Sequence, residues 1–338
     1  MTITEINQLP GVGPVAEEKL KASGYTTLMS IAVASIPELA EVSGLSEKVC
    51  RKLTQEARDA MNLGFEDGDI YENKKEDIPK LKSGYEPLDT LLGGGIDAGG
   101  ITEIYGRFGS NKSNLCFLYS VVPQITDPKA QTIFIATEGK VSGKRIKDFA
   151  IGFGLNPDKA LKNVKIVRTY SLDHQELMID KTEEMLNNGV NIKLIVIDSL
   201  TSHLRVEFQA RGTLAVRQQR LNRMLHKLIK IADMNSIPII VTNQVMADPS
   251  GFMYSDPIRP VGGEILGHMV TTRIYLRKAA KGNRMAKLVD SPHLPDGEVL
   301  FLLEETRITE PVKWKALPTK VGGFLATKLP SGKVFGFK

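Results

Sequence analysis

Apolar residues in the first sixty positions recur at helical spacing. Between residues 3 and 63, leucine and alanine are three or four positions apart, and short turns with glycine or proline interrupt them. This periodicity is typical of amphipathic helices. It predicts a small all-α domain over residues 1–64. From 65 to 80 Asp, Glu and Lys dominate, which indicates a solvated linker.

Beyond residue 80 the pattern changes to short apolar runs that alternate with helical segments such as 217–234. Strands alternating with helices predict an α/β fold with a mainly parallel sheet, both faces of which are covered. We expect this core to span 81–308, followed by a C-terminal extension over 309–338. The predicted strands are 101–105, 132–136, 165–167, 194–197 and 237–242.

Charge and composition narrow the class of protein. The net charge is +5, but six lysines and no acidic residue lie between 311 and 338, so the rest of the chain is close to neutral. Any nucleic-acid site is therefore local. No apolar run is long enough to span a membrane, and the N-terminus has no signal-peptide pattern. Cys50 and Cys116 suggest no disulfide framework, so we expect a cytoplasmic protein.

A strand, a glycine-bearing turn and a helix follow one another after residue 100. This order, with Lys112 and Ser113 opening the helix, has the form of a P-loop, in which backbone N–H groups surround phosphate, the lysine binds the β/γ-phosphates and the hydroxyl binds Mg²⁺. Asn111 stands where the pattern has glycine, and asparagine tolerates left-handed backbone. The expected nucleotide-binding residues here are Gly106, Arg107, Phe108, Gly109, Ser110, Asn111, Lys112, Ser113 and Asn114.

Polar residues end three of the predicted strands. Asp198 is either a Mg²⁺ ligand or an ordinary strand-terminal turn residue, and the P-loop favours the metal role. Glu138 is a candidate general base for the attacking water, with Lys112 and Gln244 as the other catalytic candidates. Gln244, after Asn243, is a candidate sensor of the γ-phosphate.

The N-terminal segment 9–14 reads Leu-Pro-Gly-Val-Gly-Pro before a helix. Gly11 and Gly13 would let backbone N–H groups approach a phosphate at a helix N-terminus. This pattern resembles the helix-hairpin-helix motif, which binds DNA backbones. A tight turn between packed helices, without a ligand, is the alternative.

Several longer motifs identify a family. They are Asp-Ser-Leu-Thr-Ser from 198, Arg-Gly-Thr-Leu-Ala-Val-Arg from 211, Val-Thr-Asn-Gln-Val-Met from 241, Gly-Gly-Glu-Ile-Leu-Gly-His from 262 and Asp-Ser-Pro-His-Leu-Pro from 290. In this order and spacing they resemble the archaeal RadA recombinases of the RecA/RadA family, over residues 5 to 308. The resemblance implies a P-loop RecA-like core behind a helix-hairpin-helix domain. It also implies ATP and Mg²⁺ as cofactors.

The resemblance implies partners and further site residues as well. Such proteins form filaments or rings, bind single- and double-stranded DNA, work with recombination mediators and serve DNA repair at the nucleoid. Arg145 matches the arginine that stacks on adenine, and Asp290 to Pro295 resembles a cap over a neighbour's ATP. His268 matches the residue that couples the γ-phosphate to DNA. Arg211 and Arg217 match the first DNA-binding loop of the family. The stretch from Val245 to Gly263 resembles the second loop, with Phe252, Met253 and Tyr254 as candidate side chains that wedge between bases.

Each DNA assignment has a plainer alternative. Arg217 could be a solvated residue at a helix start, and the trio at 252–254 could anchor a loop. The lysine-rich tail, with Trp314 and several phenylalanines, could bind DNA or be a solvated extension. Strand-like runs on either side of the Pro-Ser-Gly at 330–332 predict a β-hairpin there.

Two departures from the family bear on function. Phe65 matches the first residue of the motif that adds one subunit to its neighbour, but Gly68 replaces its small apolar anchor. The residues after Glu138 also differ from the family's usual pattern, in the segment that includes the arginine expected to stack on adenine. The chain is thus predicted to be a DNA-dependent ATPase performing strand exchange, and the alternative is a paralog or mediator that binds ATP with little hydrolysis. A third class, a hexameric ATPase with the same core that works like a clock protein or a helicase, is disfavoured. It would not explain the helix-hairpin-helix domain together with the loops at Arg211–Arg217 and Val245–Gly263.

Overall fold

The central feature of the computed structural model is a sheet of nine strands in the order β11-β10-β9-β8-β1-β5-β4-β2-β3. The structure describes residues 5–61, 63–65, 67–70, 73, 78, 80–139, 141–208, 213–247, 258–312, 319–321 and 324–326. The strands of the main sheet are β1 Ile101–Tyr105, β2 Gln131–Ala136, β3 Val164–Arg168, β4 Ile192–Asp198, β5 Ile239–Asn243, β8 Thr272–Lys278, β9 Arg284–Asp290, β10 Gly297–Leu303 and β11 Ile308–Thr309. Two separate ribbons are β6 Val245–Ala247 with β7 Ile258–Pro260, and β12 Thr319–Val321 with β13 Phe324–Ala326.

Helices cover the sheet and form the N-terminal domain. The α-helices of that domain are α1 Pro14–Ala22, α2 Leu28–Ala32, α3 Ile36–Ser43 and α4 Glu47–Ala60. Those of the core are α5 Glu86–Leu91, α6 Lys112–Tyr119, α7 Pro123–Thr126, α8 Gly143–Gly152, α9 Pro157–Asn163, α10 Leu172–Asn187, α11 Ser202–Glu207, α12 Leu214–Asn235 and α13 Gly263–Met269. Within the described residues no helix is long and apolar enough to cross a membrane.

The strands in the middle of the sheet are buried on both faces. In β4, Leu194 and Val196 belong to the apolar cluster with α6, α8 and α9, while Ile195 and Ile197 belong to the cluster with α10 and α12. Successive side chains of a strand point to opposite faces, so a strand covered on both sides needs an apolar residue at nearly every position. This explains the continuous apolar runs of the sequence. The predicted α/β fold with a mainly parallel sheet is confirmed.

The order and direction of the strands put the chain's functional turns at one edge. Strands β8, β1, β5, β4, β2 and β3 are mutually parallel. Their carboxyl ends therefore lie together, and the turns after β1, β2, β4 and β5 meet there. Polar residues at the ends of four different strands become neighbours for this reason.

The antiparallel side of the sheet was not anticipated from the sequence. Strands β9, β10 and β11 run antiparallel to their neighbours beyond β8. A residue just after 308 also contacts this side of the sheet: the Val312 backbone N–H donates to Asn283 Oδ1 at 2.9 Å, and Asn283 Nδ2 donates to the Val312 carbonyl at 3.2 Å. The domain boundaries remain predictions.

The structure describes only part of the hairpin predicted in the tail. Residues 324–326 form a strand as expected, but they pair antiparallel with the preceding strand Thr319–Val321. The Pro-Ser-Gly turn predicted at 330–332 lies outside the described residues, so this hairpin remains a prediction. The second strand of the expected hairpin, at 333–337, lies outside the described residues.

The N-terminal domain has its own apolar core, which includes Leu20, Ile31, Leu39 and Leu53. Its helices begin with clear caps: the side chains of Thr27, Ser35 and Ser46 accept hydrogen bonds from backbone N–H groups of α2, α3 and α4. The domain contacts the end of α10. Thr26 Oγ1 donates to the Asn187 carbonyl at 2.6 Å, and Asn187 Nδ2 donates to the Gly24 carbonyl at 3.0 Å.

Candidate functional site

The turn between β1 and α6 has the tight geometry that a phosphate cradle requires. A Cβ at Gly106 would lie 2.1 Å from the Leu276 carbonyl oxygen, so only glycine fits there. Gly109 has φ +74° and Asn111 has φ +79°, both in the left-handed region. Glycine adopts this conformation without strain, and asparagine tolerates it better than most residues. The replacement of glycine by Asn111 therefore leaves the turn intact.

Lys112 and Ser113 open α6 and face the end of β4. Lys112 Nζ donates to the carbonyls of Gly106 at 2.8 Å and Arg107 at 3.2 Å, so the lysine lies across its own turn. Burial lowers the pKa of Lys112, and the charges of Asp198 and Glu138 oppose this effect. The half-buried ammonium can attract a phosphate, whereas the two carboxylates beside it would repel one unless a cation such as Mg²⁺ is bound with it.

Asp198 ends β4 and is 9% exposed. Burial raises its pKa, and hydrogen bonds from the hydroxyls of Ser113 and Thr242 oppose the rise. A hydroxyl and a carboxylate side by side at this edge fit Mg²⁺, which takes one or two protein oxygens and completes its shell with water and phosphate. In the described part of the chain there is no cluster of three or more His, Cys, Asp or Glu that would form a cage for a metal ion.

Glu138 follows β2 and is held from two sides. Its Oε1 accepts from Ser199 Oγ at 3.1 Å and from Gln244 Nε2 at 2.6 Å. The ends of β2 and β4 are fastened together, since Thr137 Oγ1 donates to the Ser199 carbonyl at 2.9 Å and accepts from its N–H at 2.8 Å. The carboxylate is thus fixed beside the phosphate turn.

These residues surround one cavity at the carboxyl edge of the sheet, of about 180 Å³. The P-loop and the ends of two strands contribute to it. Its lining residues are Phe108, Gly109, Asn111, Lys112, Ser113, Asn114, Ala136, Glu138, Val141 and Asp198. Six of the nine predicted P-loop residues therefore line a common space with Glu138 and Asp198. Of the other three, Ser110 is buried, and Gly106 and Arg107 accept from Lys112.

Arg145 lies next to this cavity, on α8. Its Nε donates to Asn114 Oδ1 at 3.1 Å, and its other nitrogens donate to the backbone carbonyls of Glu304 and Glu305. The guanidinium carbon is 4.3 Å from the centre of the Phe149 ring. The arginine predicted to stack on adenine thus joins α6 to the turn after β10.

Asp290 and Pro295 lie at the opposite edge of the sheet from the P-loop. β9 runs antiparallel to β8 and ends at Asp290, which pairs with Arg273 near the start of β8. A strand of seven residues is about 23 Å long. Neither residue reaches the P-loop of its own chain.

His268 is exposed in the last turn of α13. The segment that contains this helix crosses from one edge of the sheet to the other. At the carboxyl edge the Val261 N–H donates to the Gln244 carbonyl at 3.0 Å, and at the opposite edge the Thr271 N–H donates to the Ile101 carbonyl at 2.8 Å. The histidine is thus near the edge where Asp290 lies.

The remaining predicted residues are distributed over the surface. Gly11 has φ +96°, and Gly13 caps α1, with both glycines exposed. Phe65 is fully exposed in the single chain. Arg217 is partly exposed in the first turn of α12. Four residues predicted to bind DNA, Arg211, Phe252, Met253 and Tyr254, lie outside the described residues.

Comparison with known families and proteins agrees with this geometry. The model of the Rad51 family matches residues 74–311, which contain the whole P-loop edge. The chain belongs to the Rad51 family. A second family model, the SAM-like helix-hairpin-helix tandem, matches residues 3–59. The predicted family and the predicted helix-hairpin-helix fold are both confirmed.

Relatives in the Rad51 family match along nearly their whole length. The chain is 42% identical to the DNA repair and recombination protein RadA of Aeropyrum pernix, with 91% of this chain and 98% of the relative covered. The proteins of the same description from Methanocorpusculum labreanum and Metallosphaera sedula are 41% and 39% identical, with 91% of this chain and 99% and 96% of the relatives covered.

The fold brings to the site several residues that were not predicted from the sequence. Arg205 donates to Gln244 Oε1, and Ser199 donates to Glu138. Glu103 and Arg273 form a buried ion pair directly beneath this edge. Only Glu103 gave a signal in the sequence, because a charged residue inside a fully buried strand requires a partner.

Proposed function

We propose that this chain is an ATP-dependent recombinase that assembles as a filament on single-stranded DNA and performs homologous pairing and strand exchange in DNA repair. Family membership supports the recombinase class. The observation that carries the proposal is the contact between Glu138 and Gln244 at the P-loop. It joins a candidate catalytic carboxylate to the strand end from which one of the two predicted DNA loops departs.

Each side chain at the edge has a role in hydrolysis. Bound Mg²⁺-ATP supplies the phosphoanhydride bond that is broken. Lys112 would leave its contacts with Gly106 and Arg107 and neutralise the terminal phosphates, while Ser113 and Asp198 hold the metal ion. Glu138 orients the attacking water and accepts its proton at Oε2, the oxygen not used by Gln244 or Ser199.

Gln244 connects this chemistry to DNA binding. Its side chain contacts Glu138 and Arg205, and its backbone carbonyl accepts from Val261. Arg205 is on α11, which precedes the first predicted DNA-binding loop at Arg211–Arg217, and Val261 lies in the second predicted loop, Val245–Gly263, which begins directly after Gln244. The two segments predicted to bind DNA therefore begin or end within contact of one glutamine, which suits a switch ordered by the terminal phosphate.

The position of Asp290, Pro295 and His268 supports assembly of like subunits. They lie at the edge opposite the P-loop, so head-to-tail stacking would bring them onto the neighbour's nucleotide. Head-to-tail contacts generate rings when they close and helical filaments when they do not. Phe65, fully exposed, is available to insert into a neighbouring core.

A mediator that binds ATP with little turnover is the second candidate. Gly68 and Asn111 are the residues that favour it. Hydrolysis of ATP measured with and without single-stranded DNA separates the two. Stimulation by DNA supports the recombinase, whereas ATP binding with no stimulated turnover supports the mediator.

A further inference from the structure

Glu103 is a fully buried carboxylate at the centre of the sheet that the chemistry above does not use. It lies in the middle of β1, paired in register with Arg273 of β8 on one side and Val241 of β5 on the other. Burial raises its pKa, and the charge of Arg273 and the amide of Asn243 oppose the rise. An apolar pair would hold strands together as well as such an ion pair does. The presence of Glu103, Arg273 and Asn243 at this position therefore suggests a function other than stabilising the sheet.

Both partners of Glu103 are donors. Arg273 Nε donates to Oε2 at 2.8 Å, and Asn243 Nδ2 donates to Oε1 at 2.7 Å. Only a carboxylate presents an acceptor to each of them, since the amide of glutamine would place a donor against a donor. The identity of the residue at this position is thus set by its two neighbours.

Asn243 uses all of its hydrogen-bonding capacity. Its Nδ2 also donates to the Val261 carbonyl at 2.6 Å, and its Oδ1 accepts from Thr201 Oγ1 at 2.7 Å and from the Gln244 N–H at 2.9 Å. An asparagine side chain offers two donors and two lone pairs, and here all four are paired. A reversed amide would place its oxygen against Glu103 and the Val261 carbonyl and its nitrogen against the Gln244 N–H. Glu103 is therefore one of the groups that fix which way the amide faces, and the only side chain among these three.

The bonds of Asn243 reach three functional segments. Thr201 immediately precedes α11, which leads to residues 209–212, and Val261 lies between β7 and α13. Gln244 contacts Glu138. Arg273 extends the network to α13. Its Nη1 packs against Gly267, the residue before His268, where an added Cβ would lie only 3.0 Å from it.

We propose that Glu103, held by Arg273, is a positioning residue that orients Asn243 and through it couples the nucleotide site to both predicted DNA-binding segments. This inference rests on the proposed function, because it assigns a coupling role to the segments named there. Intermediate position alone does not establish coupling, so the test has to measure the response of one site to the other.

Thr201→Val is the principal test variant. It removes one buried hydroxyl that donates to Asn243 and keeps the shape of the side chain. Thr132→Val is the matched control, because Thr132 is equally buried in β2 and donates one bond of 2.8 Å to the Ser120 carbonyl, away from Asn243. Glu103→Gln is a second, stronger variant, to be used if thermal unfolding shows that it folds.

The readouts are affinity for a fluorescent ATP analogue, ATP hydrolysis with and without single-stranded DNA, and the thermal midpoint. We expect Thr201→Val to bind nucleotide like the wild type and to lose about fivefold or more of the stimulation by DNA, the usual size of a coupling effect, while Thr132→Val changes it by less than about twofold. Stimulation equal to wild type in folded Thr201→Val, or an equal loss in Thr132→Val, would overturn the inference and leave the proposed function standing. A wild-type protein without any stimulation would overturn both.

Discussion

Gln244 donates through Nε2 to Glu138 at 2.6 Å, while its Oε1 accepts from Arg205. One amide therefore contacts both the carboxylate beside the P-loop and the helix that leads to a predicted DNA-binding segment. The orientation of this amide is set, because its nitrogen faces an acceptor and its oxygen faces a donor. Gln244 thus connects Glu138 to Arg205 through its side chain.

Glu138→Gln should abolish most hydrolysis while preserving nucleotide binding. The amide keeps the size of the side chain but cannot accept the proton of the attacking water, so we expect turnover to fall by about 10²–10⁴-fold. Steady-state hydrolysis and nucleotide titration measure the two effects. Asp158→Asn, which changes an exposed carboxylate on α9, is the control and should behave as the wild type. Near-normal turnover in Glu138→Gln would assign the base to another residue.

Arg205→Met should weaken the response to DNA. Methionine retains much of the length of arginine but cannot donate to Gln244, so the link to Glu138 is lost. We expect stimulation of hydrolysis by single-stranded DNA to fall by about fivefold or more. Affinity for the nucleotide should change little, because Arg205 does not line the cavity. A variant with wild-type stimulation would show that the Gln244 contact does not transmit the DNA signal.

The local pattern of the sequence was sufficient to predict the P-loop, because its strand, turn and helix follow one another directly between Ile101 and Tyr119. The five parallel strands predicted were found with small differences at their ends, because buried strands leave continuous apolar runs. β9 and β10 were not predicted. Both strands are half-exposed, and their polar and apolar positions are mixed, so they leave only a weak pattern in the sequence.

Contacts between distant residues explain what the sequence could not provide. Arg205 and Gln244 are 39 positions apart, and Glu103 and Arg273 are 170 apart. Nothing in the local pattern relates them, because the strand order β8-β1-β5 determines which side chains meet. Glu103 alone could have been singled out as a charged residue in a buried strand.

Asn111 offers a test of how the altered P-loop is tolerated. Its φ of +79° is accessible to glycine and asparagine but costs a β-branched residue about 1–2 kcal/mol or more. Asn111→Gly should therefore bind the nucleotide at least as well as the wild type, and Asn111→Val should bind it about tenfold more weakly. Nucleotide titration of both variants measures this difference. Equal binding by Asn111→Val would mean that the turn adopts another conformation when the nucleotide binds.

Lys112 should make nucleotide binding sensitive to alkaline pH. Burial lowers its pKa, so in the free protein it loses its proton at a lower pH than an exposed lysine does. Because the protonated form binds phosphate, affinity should be full below that pKa and fall as the pH rises through it. Lys112→Arg remains charged and should bind without this dependence, whereas Lys112→Ala should bind weakly at every pH. Unchanged affinity in Lys112→Ala would contradict the P-loop assignment.

Arg217 is the described arginine best placed to test DNA binding, since it lies in the first turn of α12 directly after residues 209–212. If it neutralises one phosphate, Arg217→Ala should weaken single-strand binding and reduce the magnitude of the slope of log K against log salt concentration by about 0.7. Lys159→Ala removes an exposed charge from α9, which packs on the opposite face of the sheet, and should leave the slope unchanged. The slope distinguishes a lost phosphate contact from a general loss of folded protein, because partial unfolding lowers the active fraction at every salt concentration without altering the slope. An identical slope in Arg217→Ala and the wild type would therefore remove Arg217 from the phosphate contacts.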